Sequence, residues 1–517
     1  MLSMAGGTAV SRATGLLRVL VLAWVLGFTP LADAFNLANT VPNMLFDLVL
    51  GGILSATFIP VFVERLALDG ERRAWRSISS VVSAALVLLL VATVVAWVAA
   101  PWIIQGFTFL HHGTSTASRL ALAQQRAVAT SFLRWFVPQI FFYGVIGIST
   151  ALLNIRSKFT AASWAPVANN IVCIAVLVWF RLVDGHPSIA SISQHSHLLW
   201  LGLGTTAGVA VQFLLMTPSL ARSDLGRVRF RFDLADPAVT AVGRLGAWTL
   251  GVVLTNQASL YVVLALAFAT GGNGPVSAYT YGWSFMQMPY AVVVVSVLGV
   301  LTPQLAQLAT AKDFAGLTRR LQHGLRQSLV IILPCTVILV VLAQPVAGIL
   351  LNHGHAQPSL LAGTVLALLA IGLPGFTIFQ LCVRGLQSLQ RAKDVFLLYV
   401  LENALTIGLC FLLGRHSMKG LTASVSLAYA ASAVVALIVL AQREVPLASV
   451  LWGVHIRRSL LASAAMAFVT AAAYAALNWS SGVALLLRTV FALGAGALTY
   501  GLVVLVGHQS HGRRQSV

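Results

Sequence analysis

Apolar residues run in long blocks from one end of the chain to the other, separated by short polar breaks. Fourteen such blocks fall at about 8–28, 42–63, 79–104, 131–152, 163–181, 197–217, 239–268, 277–303, 327–350, 360–383, 395–413, 420–441, 459–477 and 483–506. A helix that crosses a bilayer needs about 20 mostly apolar residues, and these blocks have that length. The pattern predicts an all-α, polytopic membrane protein with about 14 transmembrane helices. The first block runs straight into further spans and lacks a small-residue cleavage site, so it reads as a span and not as a signal peptide.

A faint repeat organises these spans. Pro42 is followed by Gly52, Leu54 and Ser55, and Pro289 is followed at the same spacing by Gly299, Leu301 and Thr302. The offset equals six spans, and an even number gives a parallel repeat. The expected organisation is therefore an N-terminal lobe (1–220, spans one to six), a cytoplasmic linker (221–238) and a C-terminal lobe (239–445, spans seven to twelve). An appendage of two extra helices and a tail (446–517) completes it. Repeats of this kind are common in transporters, with the substrate site at the repeat interface.

Composition agrees with the pattern. Of 517 residues, 58% are hydrophobic and only 9% are charged, too few to clothe a soluble protein of this size. The net charge of +19 at first suggests a nucleic-acid partner. Its distribution removes that reading. With the N-terminus inside, 22 of the 32 basic residues fall in inner loops, five in outer loops and five within spans. This is the positive-inside bias, and it places both termini in the cytoplasm. The linker holds `RVRFRFD` (227–233), which reads either as a tether at the interface or as a contact for anionic headgroups.

Polar groups within spans are the candidate chemistry, because an ionisable side chain at mid-bilayer usually faces a partner or a water-filled cavity. Arg12 and Arg18 lie in the first span, about 120° and about 9 Å apart on a helix, with Gly15 between them. They can close on one phosphate-rich group, or they can snorkel to the interface. Asp33 sits in the expected outer connection, where it reads equally as a solvated residue or an N-cap. Asp47 lies over a turn into the second span, where an arginine of span one is its expected partner. Gly51 and Gly52 allow close packing or a bend there. Asn256 and Gln257 in span seven, Gln287 in span eight, and Glu402 and Asn403 in span eleven are candidates for a polar lining or an ion site. Each also reads as an interhelical hydrogen-bonding group.

Several function classes have no support in the chain. There is no P-loop, no dinucleotide fingerprint, and no CxxC or HExxH. Cys173, Cys335, Cys382 and Cys410 lie in or beside apolar blocks without metal or disulfide spacing. The pairs His195–His197 and His353–His355 sit in outer loops and are poor metal candidates. The expectation is no cofactor, no metal and no enzymatic reaction.

One ordered set of motifs goes further. `SRATGLLR`, `ADAFNLANTVPNML` and `GGILSATFIPVF` follow one another between residues 11 and 62. `MPYAVVVVSVLGVLTPQLA` (288–306) and `RGLQSLQRAKD` (384–394) come later. Together they resemble the MurJ/MviN family of lipid II flippases, in the multidrug/oligosaccharidyl-lipid/polysaccharide exporter superfamily. The resemblance implies alternating-access transfer of an undecaprenyl-diphosphate-linked cell-wall precursor across a bacterial inner membrane. It also implies membrane lipids and the cell-wall synthesis machinery as partners, and sodium ions or protons as candidate coupling ions. By motif position, Arg12 and Arg18 match the family's two span-one arginines, Asp33 the Asp-Ala-Phe aspartate and Asn43 the Pro-Asn asparagine. Phe46 and Asp47 stand where many members have two arginines, and Ser284 falls near the place of another. The open alternatives are a flippase for a different polyprenyl-diphosphate glycan and a cation-coupled drug exporter of the same superfamily.

Overall fold

A computed structural model describes residues 2–48, 70–113, 115–156, 158–185, 187–194, 197–223, 229–233, 237–351, 356–477 and 482–512. All regular structure among them is helical. They form two compact units, Met1–Ser277 and Ala278–Val517.

The first unit contains α1 (Leu2–Leu26), α2 (Pro30–Phe46), α3 (Gly70–Thr108), α4 (Thr116–Phe136), α5 (Pro138–Ile155), α6 (Thr160–Asp184), the short α7 (Ile189–Gln194), α8 (His197–Ala221) and α9 (Pro237–Ala269). It ends in the first turn of α10 (Pro275–Pro289). Within it α1 packs on α6, α6 on α8, α2 on α4, and α9 on α3. Helix α9 lies in the first unit. On α3, Leu90, Val94, Val98 and Trp102 form an exposed stripe at four-residue spacing. An apolar stripe of this length on a helix of 39 residues is a lipid-facing surface.

After a π-helical turn at Tyr290–Val294, the second unit continues with α11 (Val295–Thr310), α12 (Phe314–Val341), α13 (Ala343–Leu351), α14 (Ala356–Ile371), α15 (Leu373–Ser388), α16 (Ala392–Leu413), α17 (Met418–Ala441), the short α18 (Ala448–Leu451), α19 (Val454–Ala476) and α20 (Gly482–Gly512). Helices α15 and α16 both pack on α17, and the extra pair α19–α20 attaches through α12. Asp394, at the end of the 384–394 motif, accepts from Arg443 Nε and Nη2 at 3.0 and 2.9 Å.

Among the described residues, 12 helices are long and apolar enough to cross a membrane, or up to 13 if the pair bent by 42° at Gly372 is one span, and most of the expected second span, 42–63, lies outside the described residues. Two boundaries differ from the expected blocks. The second helix starts at Pro30 and not at Pro42. Thr29 caps it, accepting from Ala32 N–H at 3.1 Å, and Pro30 fits the first helical turn, where no amide partner is needed. Pro42 lies inside that helix, which passes into a π-helical turn at 47–48, just as Pro289 leads into the turn at 290–294. Such local adjustment is how membrane helices absorb an interior proline. The fourth expected span, 131–152, is part of a longer apolar stretch, Thr116–Ile155, interrupted at Pro138.

Candidate functional site

Ser11, Thr14, Gly15 and Arg18 share one face of α1, at the spacing that aligns side chains along a helix. That face meets α6. Asn170 Nδ2 donates to the Ser11 carbonyl and to Thr14 Oγ1, each at 3.1 Å. A methyl on Gly15 would stand 3.6 Å from the same Asn170 amide, an ordinary contact. Three residues further along α6, Cys173 faces Arg18, and Tyr143 of α5 lies within electrostatic reach of the same guanidinium. Behind Cys173 the polar seam continues. Its thiol donates to Asn169 Oδ1 at 3.3 Å, and Asn169 Nδ2 donates to Gln212 Oε1 of α8 at 3.2 Å. Close approach of α6 and α8 depends on Gly208, where an added Cβ would meet Asn169 Oδ1 at 2.6 Å. Arg18 is therefore half-buried at one end of a polar seam, whereas Arg12 is exposed on another face of α1.

Two other arginines within spans meet aromatic rings. Arg134 lies 5.2 Å from the Trp97 ring centre and Arg488 lies 3.8 Å from that of Tyr474. Cation–π contact of this kind accommodates a guanidinium in an apolar setting. Arg18 has instead a phenol and a thiol beside it, a setting that leaves hydrogen-bonding capacity for an anionic group.

Asp33 is not a solvated loop residue. It is 2% exposed, in the first turn of α2. Its Oδ1 accepts from Ser277 N–H at 2.8 Å and from Ser277 Oγ at 2.7 Å, while Asn36 Nδ2 donates to the same hydroxyl at 3.0 Å. The carboxylate thus caps the start of α10, where free amides favour a negative charge. Gly274 makes this approach feasible. Its φ is +73°, and a Cβ there would lie 2.5 Å from Phe28 Cα.

Asp47 is exposed and accepts from Gln257 Nε2 of α9 at 3.2 Å, so its observed contact is with span seven and not with a span-one arginine. Asn43 is also exposed and donates to the Asn39 carbonyl at 3.0 Å. Phe46 packs on Tyr143 with ring centres 5.5 Å apart, which brings Phe46 beside the surround of Arg18. Asn256 is half-buried. Gly51 and Gly52 lie outside the described residues.

In the second unit Glu402 is 5% exposed and accepts from Thr406 Oγ1 at 3.1 Å. Tyr279, Tyr399 and Tyr429 lie within electrostatic reach of it. Asn403 is also buried and donates to the Tyr399 carbonyl at 2.8 Å. Gln287 is half-buried on α10. Among the described residues no group of three or more His, Cys, Asp or Glu is placed to hold a metal.

Pattern reading missed Asn169, Asn170, Tyr143 and Ser277. The adjacent asparagines of `VANNIVC` inside an apolar block were the signal available for two of them. Nothing local marks Tyr143 or Ser277.

Two helical units in one chain, most of whose helices are long and apolar enough to span a bilayer, define a polytopic membrane protein. A solved structure described as "Lipid II flippase MurJ, inward closed conformation" aligns over 99% of this chain and 99% of its own, with a TM-score of 0.77 and 19% identity. An inward-facing multidrug resistance MATE transporter of the MOP superfamily aligns over 85% of this chain and 96% of its own, with a TM-score of 0.68 and 14% identity. The "Probable lipid II flippase MurJ" of Rhizobium meliloti (strain 1021) is 25% identical over 92% of this chain and 85% of its own length. The family described as "Lipid II flippase MurJ" matches residues 22–491. The chain belongs to the MurJ family.

Proposed function

We infer that this protein is a lipid II flippase, moving the undecaprenyl-diphosphate-linked peptidoglycan precursor from the inner to the outer leaflet of a bacterial inner membrane. The observation that carries this reading is the family match across 22–491, nearly the whole chain. The role is transport and not catalysis. Both termini lie in the cytoplasm, in keeping with the positive-inside distribution.

Arg18 is the proposed contact for the diphosphate. Its half-buried guanidinium at the α1–α6 seam can donate to phosphate oxygens through charge-assisted, bidentate hydrogen bonds. Arg12 is the proposed first contact for an incoming headgroup, since it is exposed nearer the chain start. The prenyl tail stays in lipid while alternating access carries the headgroup across. An inside-negative potential favours outward movement of an anion by about 2.3 kcal/mol per charge per 100 mV, or roughly 4–5 kcal/mol for a diphosphate that crosses the full field. Sodium ions or protons are the proposed means of resetting the cycle, with buried Glu402 as the group that takes them. The cell-wall synthesis machinery is a proposed partner because it consumes the flipped precursor.

Depletion of the resident lipid II flippase in a bacterial host, with this chain expressed in its place, tests the reading. Restored growth supports it. Failure despite membrane insertion, combined with rescue of a strain lacking a flippase for another polyprenyl-diphosphate glycan, would assign the chain that other substrate.

A further inference from the structure

The segment Arg229–Asp233 is held in a defined place. Arg229 N–H donates to Ser79 Oγ at 3.2 Å, and Arg231 N–H donates to Ser83 Oγ at 2.9 Å. Ser79 also donates to the Trp75 carbonyl at 2.7 Å, so its hydroxyl is used in both directions. Four residues of helix rise about 6 Å, and two residues of extended chain rise about 6.6 Å. The matched spacing lays the segment along α3 for one turn, with alternate amides turned toward the helix. Ser79 and Ser83 are buried and lie near the start of the span candidate Arg73–Thr108. The segment therefore sits at the depth where water gives way to acyl chains.

Its side chains suit that depth. Phe230 is 75% exposed and Phe232 is 51% exposed. In an extended chain both project to the same side. Arg229 and Arg231 are exposed as well. Arg76, also exposed, shares the face of α3 that carries Ser79 and Ser83, one turn nearer the helix start. Among the described residues Asp233 pairs with Arg231 at 3.0 Å. In water the two phenylalanines would be an unrelieved cost. At an interface, aromatic rings and basic groups are the residue types that anchor.

We propose that Arg229–Asp233 is an interfacial anchor that binds anionic phospholipid headgroups through Arg76, Arg229 and Arg231, while Phe230 and Phe232 enter the acyl boundary. It fixes the start of α9 to the membrane surface beside α3.

The test uses the full-length chain in lipid nanodiscs, with Phe232→Cys carrying a bimane fluorophore and the four native cysteines changed to alanine. If the cysteine-free background does not purify as a single species, the native cysteines are kept and the signal of labelled protein without Phe232→Cys is subtracted. Quenching is read with iodide in water and with doxyl-labelled lipid in the bilayer. One set of discs is phosphatidylcholine alone and the other includes phosphatidylglycerol. The proposal expects doxyl quenching at least about twofold stronger in the phosphatidylglycerol discs, with surface partitioning falling roughly fivefold for each of Arg229→Gln and Arg231→Gln. Dominant iodide quenching in both discs overturns it in favour of a solvated tether. Equal doxyl quenching in both discs, unchanged by the arginine variants, overturns headgroup recognition. Protection from both quenchers shows a protein cover and also overturns it.

Discussion

Asp33 and Ser277 lie 244 positions apart in sequence, yet Asp33 Oδ1 accepts both the amide and the hydroxyl of Ser277, at 2.8 and 2.7 Å. A carboxylate from the start of α2 thereby closes the start of α10. Removing one partner of a buried hydrogen bond leaves the other unsatisfied, at about 1–3 kcal/mol. Asp33→Ala is expected to lower the thermal unfolding midpoint of the purified protein clearly. Ser277→Ala is expected to lower it less, because the backbone amide remains to be accepted. Intrinsic fluorescence melts of the two variants check the order, and equal midpoints would remove the cap from the account.

Asn170 ties α6 to α1 through two acceptors, Ser11 O and Thr14 Oγ1. Interhelical hydrogen bonds of this kind contribute about 0.6–2 kcal/mol within membranes. Asn170→Leu is expected to reduce stability by that order and to loosen the position of Arg18. Transport should fall more than protein abundance does. Immunoblotting of membranes beside a lipid II exposure assay separates the two effects.

Gly274 occupies a left-handed backbone conformation with φ +73°, with Phe28 backbone atoms where a Cβ would be. An L-residue pays about 1–2 kcal/mol for that conformation alone, before the contact is counted. Gly274→Ala is expected to be more destabilising than Gly272→Ala, whose Cβ would meet nothing within 4 Å although its φ is also positive. Comparing the two melting midpoints isolates the contact from the backbone strain.

Glu402 is a buried carboxylate that accepts from the Thr406 hydroxyl at 3.1 Å. Glu402→Gln keeps the shape and removes the ionisable group. Its expected effect is a lower rate of lipid II exposure that no longer responds to an imposed sodium or proton gradient. Unchanged gradient dependence would leave Glu402 as an acceptor for Thr406 within its own helix and not an ion site.

Much of this arrangement was legible in the chain because burial in a membrane imposes long apolar runs, and the charge of the connections is constrained at the same time. The helices from α3 onward follow the expected blocks, with the fourth lengthened. The start of α2 was obscured by Pro42, which resembles a boundary and is instead absorbed within a helix. The grouping of α9 with the first unit depends on packing against α3, which no local pattern encodes. Arg18 stood out as a charge in an apolar run. Asp33 was visible by motif, but its burial was not, because Ser277 is an ordinary serine in sequence and becomes its partner only in the fold. Asp47 shows the reverse: a carboxylate that sequence would pair with arginine meets Gln257.

The most direct measurement of the central claim is lipid II exposed on the outer leaflet of a flippase-depleted host that expresses this chain, compared with the same host expressing Arg18→Ala at equal membrane abundance. The account predicts restored exposure with the wild-type chain and loss of it with Arg18→Ala, with partial retention in Arg18→Lys. Full exposure with Arg18→Ala would contradict the placement of the headgroup at the α1–α6 seam.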